Sequence, residues 1–478
     1  MSSVLYFGLL LIQLATAARV MTRPNRAPAS RIAWLAIIFS IPGLGVIGYL
    51  LLGETSIGKT RVERKAKLNA ELRQIADVPD YEGSASGIEM PARFRSIFNL
   101  GQSISGMPAV GGNAAELLAD SETAIDAMIK DIDNAKEHVH LVFYIWLTDE
   151  SGTKMVDALV RAAQRGVTVR AMADDLGSRD LIKSELWKVM ERAGVNLAVA
   201  LKIGNPLLRM FDGRLDLRNH RKVLVIDNEV TYCGSQNCAD AAFSPKPKFA
   251  PWVDAVMRFT GPVVLQNQMV FVSDWMTYTD DDILDVVRLE IPHTNEGFPA
   301  QVIATGPTVR FGAMSDMFAA LMHAATDELI ITTPYYAPNE AMQSALRSAA
   351  NRGVKTTIVF PARNDNFSVA ATCHSYYQEL LTSGVRIMEY PLGLLHTKSL
   401  TIDGQVTLIG SANMDQRSFD LNYENNIVFY DPEATSQLRD RQLEYIADSN
   451  EVLLSNVESW PWRRRLWNNV MAVISPVL

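Results

Sequence analysis

The pattern His-x-Lys-x-x-x-x-Asp occurs twice in this 478-residue chain, each time followed at the same interval by Gly-Ser-x-Asn. The first copy is His220, Lys222 and Asp227 with Gly234, Ser235 and Asn237. The second is His396, Lys398 and Asp403 with Gly410, Ser411 and Asn413. The chain has only seven histidines, and two of them fall in this one frame. A repeated block of this length constrains the fold more than any composition: it predicts two half-sites built to meet.

Side chains alternate across an extended strand, so a His and a Lys two positions apart share one face. The run Val223 to Ile226 suits a buried strand in the first copy, as do Leu400, Thr401 and Ile402 in the second. Asp227-Asn228 and Asp403-Gly404 then read as turns, the second a strong hairpin signal. A further strand follows (Val230 to Cys233, Val406 to Ile409) and ends in Gly-Ser-x-Asn, where glycine is expected to permit a sharp bend. The ammonium groups of Lys222 and Lys398 suit the non-bridging oxygens of a phosphodiester. Ser235, Asn237, Ser411 and Asn413 are expected to add neutral hydrogen bonds to that substrate. Two imidazoles can divide nucleophilic and acid-base work. Asp227 and Asp403 count with the catalytic motif; at a turn they read as structural, and a direct ionic contact with the lysines is the alternative.

Outside the block the chain also repeats. Val139 to Trp146 leads into a helical stretch ending Arg165-Gly166, and Leu329 to Tyr336 leads into one ending Arg352-Gly353. Two similar domains are expected, at 110–290 and 291–478, with the site in the cleft between them and residues 54–109 as a polar spacer.

These motifs resemble the phospholipase D superfamily. The stretch GSANMDQRSFDLNYENN (Gly410 to Asn426), with TPYYAPNE (Thr333 to Glu340) and two apolar N-terminal segments, is similar to bacterial cardiolipin synthases of the two-membrane-segment type. The resemblance implies an α/β fold: two tandem phospholipase D-type domains, each a mixed sheet flanked by helices, sharing one active-site cleft. It implies a phosphatidyl transfer between two phosphatidylglycerol molecules that gives cardiolipin and glycerol through a covalent phosphohistidine. A hydrolase releasing phosphatidic acid is the alternative, since the two differ only in the acceptor. His220 is expected as nucleophile and His396 as acid-base. The resemblance also implies a carboxylate orienting each histidine, supplied by the other half: Asp254, 34 residues past His220, and Glu424, 28 past His396. No cofactor or metal is expected, because the lysines supply positive charge. The implied location is a bacterial inner (cytoplasmic) membrane, multi-pass.

Two transmembrane helices are expected within 1–53, at about Val4 to Val20 and Ile32 to Leu52. A cleaved signal peptide rivals the first, although residues 1 to 3 carry no Lys or Arg. Basic residues flank both sides of the second segment in similar number, so charge counting does not choose an orientation. The formal charge of −8 argues against a polyanion such as nucleic acid as partner; a lipid phosphodiester at a bilayer fits better. At the C-terminus, Trp460, Trp462 and Trp467 surround Arg463, Arg464 and Arg465, which suits an anionic-lipid interface or a helix packed on the catalytic unit. Cys233, Cys238 and Cys373 read as small core residues, and Tyr144 and Tyr336 as strand-end aromatics that line the cleft or fill the core. Arg417 and Asn422 are candidates to touch the acceptor. His138, His140, His293, His323 and His374 read as structural.

Overall fold

The computed structural model describes residues 3–24, 28–54, 57–76, 90–203, 214, 216–287 and 296–474. Fourteen principal strands form one continuous sheet. In the first half they are β1 (Val110–Leu117), β2 (His138–Phe143), β3 (Thr168–Asp174), β4 (Asn196–Ala200), β5 (Lys222–Ile226), β6 (Val230–Gly234) and β7 (Val256–Thr260). The second half supplies β8 (Phe298–Thr305), β9 (Glu328–Thr332), β10 (Lys355–Pro361), β11 (Arg386–Tyr390), β12 (Ser399–Ile402), β13 (Val406–Gly410) and β14 (Asn422–Tyr430). Their order is β11-β10-β9-β12-β13-β14-β8-β1-β7-β6-β5-β2-β3-β4. The sequence of one half is the reverse of the other, and the two meet at the antiparallel β8–β1 seam. The 290/291 boundary expected from the sequence lies outside the described residues.

Local rules explain why the repeat folds twice alike. In β2–helix–β3 the helix Glu150–Gln164 starts on Asp149, whose carboxylate accepts from Gly152 N–H, and stops at Gly166 with φ 90°. In β9–helix–β10 the helix Glu340–Asn351 starts on Asn339, which accepts from Met342 N–H, and stops at Gly353 with φ 91°. Both units are parallel and strand-buried, as a helix crossover requires. The β5–β6 and β12–β13 hairpins turn on Asp227-Asn228 and Asp403-Gly404, all four with positive φ, as a two-residue primed turn demands.

Two helices ahead of β1 belong to the catalytic body. Helix Ala92–Ser105 places Phe94, Ile97, Phe98 and Ile104 in the core of the second half, although the segment reads as polar spacer in the sequence. Helix Lys59–Ala76 packs against Val263–Tyr278, a helix buried along nearly its whole length under the centre of the sheet.

The N-terminus corrects one expectation. Val4–Thr22, 19 residues, is long and apolar enough to cross a membrane. The second segment is not one helix from Ile32 to Leu52: it breaks into Pro28–Ser40 and Leu44–Leu52. Pro42 cannot donate to the helical ladder, and Gly43 takes φ 81°, outside the helical region.

Candidate active site

Each histidine enters the site along a short strand of its own half that borrows its pairing partner from the other half. Arg218–Asn219 pairs in parallel with the start of β14, and His220 N–H donates to Tyr423 O at 2.9 Å. In the same way Leu394–Leu395 pairs in parallel with Trp252–Val253, and His396 N–H donates to Val253 O at 2.8 Å. Tyr423 and Val253 are the residues immediately before Glu424 and Asp254. The backbone therefore registers each imidazole against the opposite half's carboxylate before any side chain is considered.

The side chains complete that crossing. His220 Nδ1 lies 3.0 and 2.9 Å from the two carboxylate oxygens of Glu424, and His396 Nδ1 lies 2.7 Å from Asp254 Oδ1. A carboxylate on Nδ1 favours the proton there, leaving the Nε2 lone pair for chemistry. Ser411 Oγ donates to Glu424 and Ser235 Oγ to Asp254, while the same hydroxyls accept from Asn425 N–H (2.9 Å) and Ala255 N–H (3.1 Å). Ser235 and Ser411 thus do not face the substrate, as the sequence led us to expect; both are buried and spend their hydrogen bonds on the orienting carboxylates. The glycines before them also act differently from expectation. The expected bend falls on the next residues, Ser235 and Ser411, while the glycines end their strands; a Cβ on Gly234 would sit 2.2 Å from Ala255 O, and one on Gly410 2.4 Å from Asn425 O. Glycine is needed because two backbones touch there.

Lys222 Nζ and Lys398 Nζ donate to the carbonyls of their own histidines, His220 and His396. Both lysines, both histidines and both carboxylates are buried. Burial, partly offset by Glu424 and Asp254, pushes the Lys222 ammonium down to about 8. Lys398 falls to about 7, through burial and repulsion from Lys222, against attraction from Asp254. Burial likewise lowers His220 to about 4, against the pull of Glu424. His396 moves the same way: burial and Lys398 lower it, and Asp254 holds it up. Burial pushes Asp254 upward, yet His396 and Lys398 outweigh that and hold it at about 2. The site is a compact set of two lysines and two carboxylates around two imidazoles, and an arriving phosphodiester anion would strengthen the positive charge on the lysines and favour a proton on His396.

Asn237 and Asn413 lie at matching places in the two motif copies, and both are buried. Asn237 Oδ1 accepts from Ile145 N–H at 3.3 Å, whereas Asn413 Oδ1 is buried with no partner among the described residues. Asp227 and Asp403, counted with the catalytic motif, stay out of the site. Asp227 accepts from the N–H groups of Lys136, Glu137 and His138 (2.8–2.9 Å), and Asp403 from those of Thr326, Asp327 and Glu328, with Arg93 at 3.0 Å. They close the turn onto the start of β2 and β9, and the ionic alternative with the lysines fails on geometry.

Tyr144 stands edge-on to His220, with ring centroids 4.9 Å apart, while Tyr336 is core. Arg417 pairs with Asp216 at 3.3 Å, and Asn422 donates to Glu424 at 3.1 Å, so neither is committed to a ligand. His138 and His140 stack within the fold, His374 packs on Tyr377 and Trp460, and His293 lies outside the described residues.

Two features escaped the sequence reading. Trp252 lies 4.5 Å from the His396 ring and is itself stacked on Phe243 at 3.8 Å, the counterpart of Tyr144 made from an unlike residue. Behind the site, Asp274 binds Arg221 at 2.6 Å, Lys65 at 2.6 Å and Asn219 at 2.9 Å, so it holds both neighbours of His220. Arg221 Nε also donates to Glu424 O at 3.2 Å. A single acid in the otherwise uncharged helix Val263–Tyr278 was the available signal; nothing marked Lys65 among the lysines of its polar helix.

Residues 128–247 and 318–444 match the family described as "Cardiolipin synthase, PLD-like domain", and residues 11–54 match "Phospholipase_D-nuclease N-terminal". Over its full length the chain is 34% identical to cardiolipin synthase A of Serratia proteamaculans (strain 568), covering 98% of that protein. It is 34% identical to cardiolipin synthase A of Yersinia pseudotuberculosis serotype O:1b (strain IP 31758), over 97% of this chain and 95% of that one. Among solved structures it is similar to a phosphatidylserine synthase of Haemophilus influenzae Rd KW20, with a TM-score of 0.58 and 14% identity. That match covers 81% of this chain and all of the other, and it is a likeness of fold.

Proposed function

The chain belongs to the cardiolipin synthase, PLD-like domain family, and we propose that it joins two phosphatidylglycerol molecules into cardiolipin with release of glycerol. The observation that carries this reading is the crosswise pairing of two buried His-Lys sets, each oriented by the other half's carboxylate. Such a site holds one phosphodiester between two ammonium groups and offers one imidazole to each side of its phosphorus.

In this reading His220 Nε2 attacks the phosphorus of the first phosphatidylglycerol. The bond from phosphorus to the headgroup glycerol oxygen breaks, and His396, protonated at Nε2 as the phosphodiester anion binds beside it and Asp254, delivers that proton to the oxygen. The chain is then phosphatidylated on His220. The headgroup hydroxyl of a second phosphatidylglycerol gives its proton to His396 and attacks phosphorus, and the phosphorus–nitrogen bond breaks. Every step is reversible. Burial lowers His220 to about 4, which favours it as the neutral nucleophile, and the Asp254 carboxylate on His396 supports the imidazolium that carries the proton. Lys222 and Lys398 neutralise the equatorial oxygens, with Asn237 and Asn413 as further donors. The N-terminal helices hold the enzyme in a bacterial inner membrane, with Val4–Thr22 as one crossing and the kinked pair Pro28–Ser40 and Leu44–Leu52 as a second.

The test is product analysis of the purified protein given phosphatidylglycerol alone. Cardiolipin and glycerol in equal amounts are expected; phosphatidic acid in place of cardiolipin would assign water as the acceptor and make the protein a hydrolase.

A further inference from the structure

The helix Trp462–Ile474 docks along Phe367–Thr382, with Trp467 and Phe367 ring centroids 5.6 Å apart. Its outer face carries Trp462, Leu466, Val470 and Val473, spaced as one helical stripe and all exposed, Val473 by 76%. Phe367, 69% exposed, extends that stripe onto the neighbouring helix. Arg463 and Arg464 lie over the rings of Trp462 and Trp460, at 5.7 and 3.8 Å. None of Arg463, Arg464 and Arg465 has a carboxylate partner among the described residues; Arg465 donates only to backbone carbonyls. A ridge of tryptophan and aliphatic side chains edged by unpaired guanidinium groups has the chemistry of a bilayer interface with anionic headgroups. A chain whose net charge is −8 is repelled by an anionic bilayer over most of its surface, so a local positive edge marks the face that can approach one.

The ridge is also linked to the site. Phe367 is two residues past Asp365, which binds Tyr335 and Lys246, each at 2.6 Å, and whose charge reaches Lys398. On the other side Ile57, just beyond the N-terminal apolar segment, packs with Leu217, Leu421 and Tyr423, which flank His220 and Glu424. Both apolar elements are therefore connected through short runs of contacts to residues that border the histidine pair.

We propose that helix Trp462–Ile474, with Phe367, is a second, peripheral membrane contact that seats on an anionic bilayer and presents the mouth of the site to lipid headgroups. One anchored end leaves a catalytic body free to swing; a second contact fixes its tilt. This inference goes beyond the transfer reaction and holds for any bilayer-borne substrate.

The test uses the full chain in nanodiscs containing phosphatidylglycerol. The three native cysteines are buried, so Val473→Cys can be labelled selectively with an environment-sensitive fluorophore. Lipids brominated in the acyl chain should quench the label, and aqueous iodide should not. Quenching by iodide alone would place the helix in water, and shielding from both quenchers would place a second copy of the chain on this face; either result overturns the proposal. Leu466→Glu with Val470→Glu should abolish the acyl-chain quenching and raise the apparent KM for bilayer phosphatidylglycerol about tenfold. The kcat on monomeric short-chain phosphatidylglycerol should not change. Loss of activity on both substrates would contradict a surface role. Because quenching is read without turnover, its failure is distinct from failure of the cardiolipin synthase reading.

Discussion

The two halves of the site share their scaffolding and differ in their walls. In both, Gly-Ser touches the residue after a carboxylate, a serine hydroxyl holds that carboxylate, and a short strand paired with the other half registers the histidine. Around His220 stand Tyr144, Asn422 and a carboxylate engaged through both oxygens. Around His396 stand Trp252 on Phe243 and a carboxylate engaged through one. Positioning is thus common to both halves, and what differs is the environment that sets each imidazole's protonation and the shape beside it. A duplicated fold can in this way give one histidine to attack and one to carry the proton.

The largest effect should come from removing an imidazole. Either His220→Ala or His396→Ala should reduce cardiolipin formation by about four orders of magnitude or more, measured as product per enzyme under saturating lipid. The comparison sharpens with a donor whose leaving group needs no proton. His396→Ala should then still release that group once per enzyme, and His220→Ala should not; equal behaviour would make the halves equivalent.

Next come the carboxylates. Glu424→Gln and Asp254→Asn keep size but lose the charge that orients Nδ1, and each should lower kcat about 10²–10⁴-fold. With the activated donor, Glu424→Gln should slow the first burst and Asp254→Asn should spare it. Stopped-flow release of the leaving group separates them.

A smaller, graded effect is expected in pH. For the free enzyme the lysines must be charged to receive the phosphodiester and His396 must hold the proton it delivers, so kcat/KM should fall as pH rises, with the lysine part of that fall at about 7 to 8. His220 must be neutral to attack, so kcat/KM should also fall as pH drops toward about 4. In Lys398→Arg, a base that stays charged, the alkaline limb should move upward, whatever the cost in rate.

The smallest effect on rate is expected at the turns. Asp227→Ala should leave kcat within a few-fold while costing about 1–3 kcal/mol of stability, because three backbone N–H groups lose their acceptor. Asp403→Ala should cost more, since Arg93 is also released. Denaturant midpoints beside kcat distinguish this from a catalytic role.

What was legible in the sequence was local or repeated. Alternation put His and Lys on one face, Asp-Gly and Asp-Asn marked the turns, and the duplicated frame announced the pairing of halves. Other features depend on contacts between distant segments. The serines could have faced a ligand as easily as a carboxylate; only the arrival of Ala255 and Asn425 decides it. The same approach makes Gly234 and Gly410 contact points, with the bend one residue later. Helix Ala92–Ser105 looked like spacer because four apolar residues in a polar stretch say nothing about which core they enter. Pro42-Gly43 was legible, and a helix break there follows from proline and glycine chemistry, although a membrane setting was expected to absorb it.

The most direct test of the division of labour is to locate the covalent intermediate. His396→Ala, supplied with an activated phosphatidyl donor and quenched under denaturing conditions, should carry one phosphatidyl group on His220, identified by peptide mass spectrometry and by its acid lability. An adduct on another residue, or none while the leaving group is still released, would contradict the account.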